Sequence, residues 1–430
     1  MDHAEKVDQD AVLRARAVLL ESGRPSVARQ VEAFRVLSAV SPLSYVPKLA
    51  EALVSYAYQE VWGRPEARTD VLAEAAAAAR RIDTGDPRRT EVLVRVLDAY
   101  RSSLYALGRR AEGLAVCEEM AEAGRWGFEH GQVESAVYGH GRLVVALAEE
   151  GRHGEAADIC GRSVDAERPL TPEVNSFWSM VEWAAELDAA GRYDAALEAF
   201  AELVDTTRAK LALERTSLAI QVWQLAYLAR MFDAVGRRAE AAAARQEALA
   251  HLTELDLTGE RRNWSNILAW WTTLFALSGR SAEPKPSAAA PGPSFGSALH
   301  QWSHDVREAY LDGLEQLEGQ FTALKQDPFT PLPELIVLHR RLAVRTAVRQ
   351  ELRSHRILKP LRPLFDEGVA LARRLAERHT LGRALTDRAM FLVAAKQYGE
   401  AHDDFREVCD LLAVPVRRLL RVGHRGRFDG

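Results

Sequence analysis

The sequence predicts an all-α fold built from stacked helical hairpins. Three observations carry that expectation. Alanine, leucine, arginine and glutamate, all good helix formers, dominate the chain, and no alternating apolar stretch of useful length interrupts them. Apolar residues recur at helical spacing. Seven Gly-Arg pairs, at Gly23, Gly63, Gly108, Gly151, Gly191, Gly236 and Gly279, each precede a helical pattern, at spacings of 40, 45, 43, 40, 45 and 43 residues. A period in this range marks helix pairs that bury their apolar faces by stacking on their neighbours.

One unit shows the logic. Residues from about Pro172 to Ala190 place Met180, Trp183, Ala184 and Leu187 on one helical face. Gly191 ends that helix, because glycine enters the left-handed conformation without steric cost. Tyr193, Ala196, Leu197, Phe200 and Leu203 then form the facing stripe, with Ala196 small where two helices approach.

This pattern resembles the tetratricopeptide repeat, a W-x2-L-G-x2-Y helix followed by A-x3-F. Ala196-x3-Phe200 matches the second part, with Tyr193 as the aromatic after the turn. In the next unit Leu225, Leu228, Ala229 and Phe232 fill the first part, and KQYGEAHDDF repeats the second with Tyr398, Ala401 and Phe405. The resemblance covers roughly residues 10–280 and 360–413. It departs in period, about 43 residues rather than 34, and most copies lack the proline after the second helix. The fold expected is therefore a right-handed superhelix of hairpins. Longer-period relatives of the repeat occur in bacterial regulators that bind signalling peptides, so the resemblance implies a binding surface at the level of the fold alone.

After the array (1–280), the segment SAEPKPSAAAPGPSFGS (281–297) reads as an extended or disordered linker, with four prolines and few large apolar residues. It leaves residues 262–277 as one unpaired helix, which serves as a cap or as a surface for self-association. Residues 298–413 read as about five helices, near 298–324, 333–356, 361–378, 381–395 and 399–412, and 414–430 as a frayed basic tail.

The first candidate site is a ladder. Counting back thirteen residues from successive turn glycines gives Arg95, Tyr138, Trp178, Trp223 and Asn266. The resemblance places this helix on the concave face, where the three rings form an aromatic strip and Arg230 supplies a charge for a carboxylate. Aromatics bring contact area at low entropic cost. The competing reading packs the same rings between long helices. Trp270 and Trp271, adjacent on one helix, point in different directions, so at least one is expected outside the core.

The second candidate is basic. Arg341, Arg345, Arg349 and Arg353 lie four apart on one helical face, joined by Arg340, Arg356, Lys359 and Arg362. Such a stripe calls for an acidic partner. That partner is either internal, on the helix carrying Asp305, Glu308, Asp312, Glu315 and Glu318, or an acidic protein surface; no helix-turn-helix or zinc-finger signature supports nucleic acid. The third is HQWSHD, whose His300 and His304 share a helical face with Asp305 and Glu308 close by, a spacing that serves a metal only with a third ligand.

Cys117 and Cys160 sit where Phe200 sits in its own copy, and read as small buried residues. Three cysteines are too few for a disulfide framework, the charged start MDHAEKVDQD has no signal-peptide core, and ILAWWTTLFAL (267–277) is too short to span a bilayer, so a cytoplasmic location is expected. The net charge of −5 predicts no particular partner. No phosphate-binding glycine loop, G-x-S-x-G or kinase motif is present. The leading expectation is a scaffold or regulatory protein that captures a protein or peptide segment in a concave groove, without cofactor or metal. The alternative is a component of a biosynthetic or defence system that holds a small molecule or modified peptide in the same cavity.

Overall fold

The computed structural model describes residues 8–21, 23, 25–168, 177–213, 216–261, 267–353 and 359–413. These residues form eighteen α-helices and no strand, with a single isolated bridge between Ser287 and Ala290. Two compact units divide the chain: Met1–Leu203 with Phe275–Phe329 and Arg340–Ser354, and Val204–Leu274 with Thr330–His339 and His355–Gly430. The helical segments predicted from periodicity are present. The two units are not bounded at 280 and 297, where the sequence placed its linker.

The first unit holds α1 (Gln9–Leu20), α2 (Val27–Val40), α3 (Pro42–Gln59), α4 (Pro65–Arg80), α5 (Arg89–Ala106), α6 (Arg110–Glu129), α7 (Gly141–Glu149), α8 (His153–Glu167) and α9 (Phe177–Ala189). Each packs against the next. Leu53, Leu72, Leu97, Leu104 and Leu187 are fully enclosed, and Ala75, Ala76 and Ala79 let neighbouring backbones come close. Tyr193–Ala212 (α10), Ile267–Gly279 (α13) and Leu332–Arg353 (α15) contribute residues to both units, and His304–Gln326 (α14) belongs to the first.

The recurring Gly-Arg pair has a mechanical explanation. Gly108, Gly151 and Gly191 stand at φ +68°, +78° and +78°. The following arginine donates its backbone N–H back across the turn, Arg109 to Leu104, Arg152 to Leu147 and Arg192 to Leu187, each at 2.9 Å. This satisfies carbonyls that the helix end would otherwise leave open. The arginine side chain then turns forward: Arg109 pairs with Glu112 and Arg152 with Glu155 at 2.6–2.7 Å. Gly279 belongs to a different class. Its φ is −90°, and a Cβ there would stand 2.9 Å from Val344, so it is small for close packing.

The second unit holds α11 (Leu218–Ala234), α12 (Arg238–Thr258), α16 (Arg362–Leu375), α17 (Arg378–Ala394) and α18 (Tyr398–Leu411). The C-terminal hairpin α17–α18 packs on α11 and α12. Gly236 repeats the left-handed turn at φ +78°, and Lys396 adopts the same conformation at φ +60° in the KQYGEAHDDF copy. Trp271 lies 6.2 Å from Phe365 and 5.9 Å from Phe391, and the two phenylalanines stack at 4.6 Å.

Several expectations change. Within 281–297, residues 284–290 are largely exposed, but 291–297 are packed. Phe295 is 5 % exposed and meets Trp302 and Tyr310 edge-on, Gly292 donates to the Glu149 carbonyl at 2.9 Å, and Gly296 sits so close to Ala185 that a Cβ would approach it to 2.5 Å. Proline favours extended backbone, and one buried aromatic is enough to dock it. Trp270 and Trp271 are both buried, together with Leu274 and Phe275, so neither tryptophan lies outside the core. Tyr193, expected to be structural, is 57 % exposed, whereas Ala196 and Phe200 are fully enclosed.

Candidate functional site

The first unit contains a cavity of about 340 Å³ beside the first helices of its hairpins. Val54 and Tyr58 come from α3, Arg95, Asp98 and Arg101 from α5, Arg142 from α7, and His300, Gln301, Trp302, Ser303, His304 and Arg307 form a further wall. That wall exists because the 286–303 segment runs back over α7 and α9 before α14 begins.

Guanidinium groups dominate the lining. Asp98 accepts from Arg101 at 2.9 Å and lies 3.2 Å from Arg142. Arg95 pairs with Glu51 beside the cavity. Arg142 also reaches the Gln301 carbonyl at 3.5 Å. Arg307 makes no ion pair among the described residues. Four arginines therefore face one lining carboxylate, and Asp98 is shared between two of them.

Behind this wall lies a buried network. Arg110, at the start of α6, contacts Glu149 at 2.7 Å, Asp305 at 3.1 Å and the Ser303 hydroxyl at 3.1 Å. Glu149 is fully buried and accepts from both the backbone N–H (2.8 Å) and the hydroxyl (2.5 Å) of Ser303. Burial raises its pKa, and Arg110 and Ser303 oppose that rise. Arg101 and Arg110 lie over the Tyr105 ring at 5.4 and 5.0 Å. Burial pushes the Tyr105 phenol up, so it stays neutral. Ser303 is the N-cap of α14, yet its hydroxyl serves Glu149 and not its own helix. The network thus fastens the 300–307 wall to the repeats.

A second fastening lies on α9. Glu182 bonds to Ser297, and burial pushes its pKa up to about 7, with Glu186 and Glu167 adding like-charge repulsion. Glu186 in turn holds His153 at 2.7 Å.

The predicted site residues fall in different places. Of the ladder, Arg95 alone lines the cavity. Tyr138 precedes α7 in a turn, partly buried against the core of the first unit. Trp178 is partly buried on α9. Trp223, expected as a groove anchor, is a core residue of the second unit: it is 3 % exposed and its indole N–H donates to the Met390 carbonyl at 3.1 Å. Arg230 stacks over Tyr227 at 4.6 Å. Asn266 lies outside the described residues.

Among the described residues, Arg341, Arg345 and Arg349 of the basic stripe have internal acidic partners, and Arg356 lies outside the described residues. Arg341 and Arg345 both hold Glu283 (2.7 and 2.6 Å), Arg349 lies 3.6 Å from Glu318, and Arg340 bonds to the carbonyl and hydroxyl of Ser278. Internal pairing was anticipated on α14, and Glu318 supplies part of it. The main partner, Glu283, comes from the segment read as a linker. The Arg353 side chain and the tail 414–430 lie outside the described residues. His300 and His304 sit on separate elements, a short 3-10 turn and the start of α14, so they do not share a helical face. Among the described residues no group of three His, Cys, Asp or Glu is placed to hold a metal. None of the described helices is long and apolar enough to cross a membrane.

Asp98, Arg101, Arg142 and Arg307 were not singled out from the sequence. A signal existed: Arg142 and Glu182 stand four residues after Tyr138 and Trp178, one helical turn further on. No protein-family model and no curated protein matches this chain.

Proposed function

We propose that this chain is a binding protein for a small anionic ligand, held in the arginine-lined cavity of the first unit. The observation that carries the reading is charge: four guanidiniums line the cavity against one carboxylate, and Arg307 has no acidic partner among the described residues. Guanidinium forks bind carboxylate and phosphate oxygens in pairs, and charge-assisted bonds are the stronger ones. The fixed wall favours preorganised recognition, since little ordering remains to be done on binding. A protein or peptide laid along the whole first-helix face has less support, because Gly292 and Ser303 already occupy the Glu149 end of α7.

The test is calorimetric titration with inorganic phosphate and citrate at low ionic strength. Binding is expected, weakening with salt, and Arg307→Gln and Arg142→Gln are expected to weaken it about tenfold each. Failure of both anions to bind the folded wild type rejects the proposal.

A further inference from the structure

One lining residue of the cavity, Tyr58, belongs to an exposed aromatic pair. Trp62, in the turn after α3, leaves 62 % of its surface in solvent, and Tyr58, one turn earlier on α3, leaves 40 %. Tryptophan is on average a highly buried residue, so this exposure calls for a use. The two rings lie 5.7 Å apart at 37°. Tyr58 is also a wall of the cavity. Exposed Trp62 therefore neighbours Tyr58, which shares the cavity lining with the arginines. The Arg68 guanidinium lies 4.9 Å from the Trp62 ring and makes no ion pair among the described residues, which extends positive charge to the rim.

We infer that the ligand is an aryl-bearing anion: a small molecule that seats a carboxylate or phosphate among Arg95, Arg142 and Arg307 and lays a flat ring on Trp62 and Tyr58. The inference rests on the anion-binding reading above. The chemistry of the two parts is complementary. Guanidiniums satisfy the acid group, while stacking on an indole face rewards a flat ring whatever its substituents. A rim cation beside that face favours a ligand that keeps its charge and its ring close together. An anion without a ring leaves the shelf unused.

The experiment compares inorganic phosphate with 1-naphthyl phosphate by calorimetry, on the wild type, Trp62→Ala and Trp62→Leu. The wild type is expected to bind the naphthyl ester at least about tenfold more tightly. Trp62→Ala and Trp62→Leu are expected to remove that preference and leave phosphate affinity unchanged. The exposed position makes both substitutions compatible with folding, which circular dichroism checks; the leucine variant retains apolar surface and removes only the stacking plane. Equal affinity of the wild type for the two ligands, or a naphthyl preference that survives both substitutions, overturns the inference and leaves anion binding standing. Binding of phosphate without the naphthyl ester likewise overturns the inference alone, and failure of both ligands to bind overturns both readings.

Discussion

The Arg345 guanidinium grips the Glu283 carboxylate with two bonds, at 2.9 and 2.6 Å, and both side chains are almost wholly buried. Arg341 adds a third bond to the same carboxylate at 2.8 Å. One acidic residue in a proline-rich stretch thus pairs with two of the four stripe arginines and ties that stretch to α15.

Removing the Glu283 charge strands two cations. Glu283→Gln is expected to lower unfolding stability by about 3 kcal/mol, read by urea denaturation. Burial alone would raise the Glu283 pKa, but the bonds from Arg345 and Arg341 prevail and hold it below its ordinary value. Its contribution is therefore complete above the ordinary carboxylate range and is lost as pH falls through the lowered value. The gap between wild type and Glu283→Gln should close in acid; a gap independent of pH refutes the ion pair as its source.

Glu182 works in the opposite sense. With a folded pKa near 7 against an ordinary 4.5, the folded chain holds a proton that the unfolded chain has released. Stability is expected to fall as pH rises between about 4.5 and 7 and to level off beyond. Glu182→Gln should flatten that stretch of the profile, measured as unfolding midpoints at pH 5 and pH 8. An unchanged slope would exclude Glu182 as the titrating group.

The turn residues give a matched set. Gly191 and Gly151 share φ +78°, but a Cβ at Gly191 meets nothing within 4 Å, whereas at Gly151 it would stand 2.3 Å from the Pro286 carbonyl oxygen. Gly191→Ala is expected to cost about 1 kcal/mol, from backbone strain alone. Gly151→Ala should cost roughly 2–4 kcal/mol, because it also pushes on residue 286. Lys396→Gly should raise stability by up to about 1 kcal/mol, since it relieves the same strain. Equal costs at the two glycines would argue against the packing of the 286 segment.

Trp223→Ala is expected to destabilise the fold by about 3–5 kcal/mol, as for a large core truncation, and to leave phosphate affinity at the cavity intact. A stable variant with weakened anion binding would return Trp223 to the binding surface.

Much of the fold was legible because its signals are local. The turn glycines, Ala196, Phe200 and the buried Cys117 and Cys160 follow from helical spacing and from the size limits of close-packed helices. Tyr193 escaped that logic: the same spacing is compatible with an exposed ring at the start of a helix. Of the candidate site, the sequence singled out Arg95 as a groove residue and His300 and His304 only as a weak metal pair. The cavity residues Arg142 and Arg307 are 165 residues apart in sequence, and no local pattern couples them.

By itself the sequence determined the helices, their glycine-capped turns and the pairing of neighbours, since each depends on contacts within about one repeat. Tertiary structure alone decided which charges are free and which are spent. Glu283 reaches Arg345 across 62 residues and Ser303 reaches Glu149 across 154. The physical reason is that periodicity specifies which face of a helix is apolar but not which distant segment covers it. A covering segment changes both the burial and the charge of whatever lies beneath.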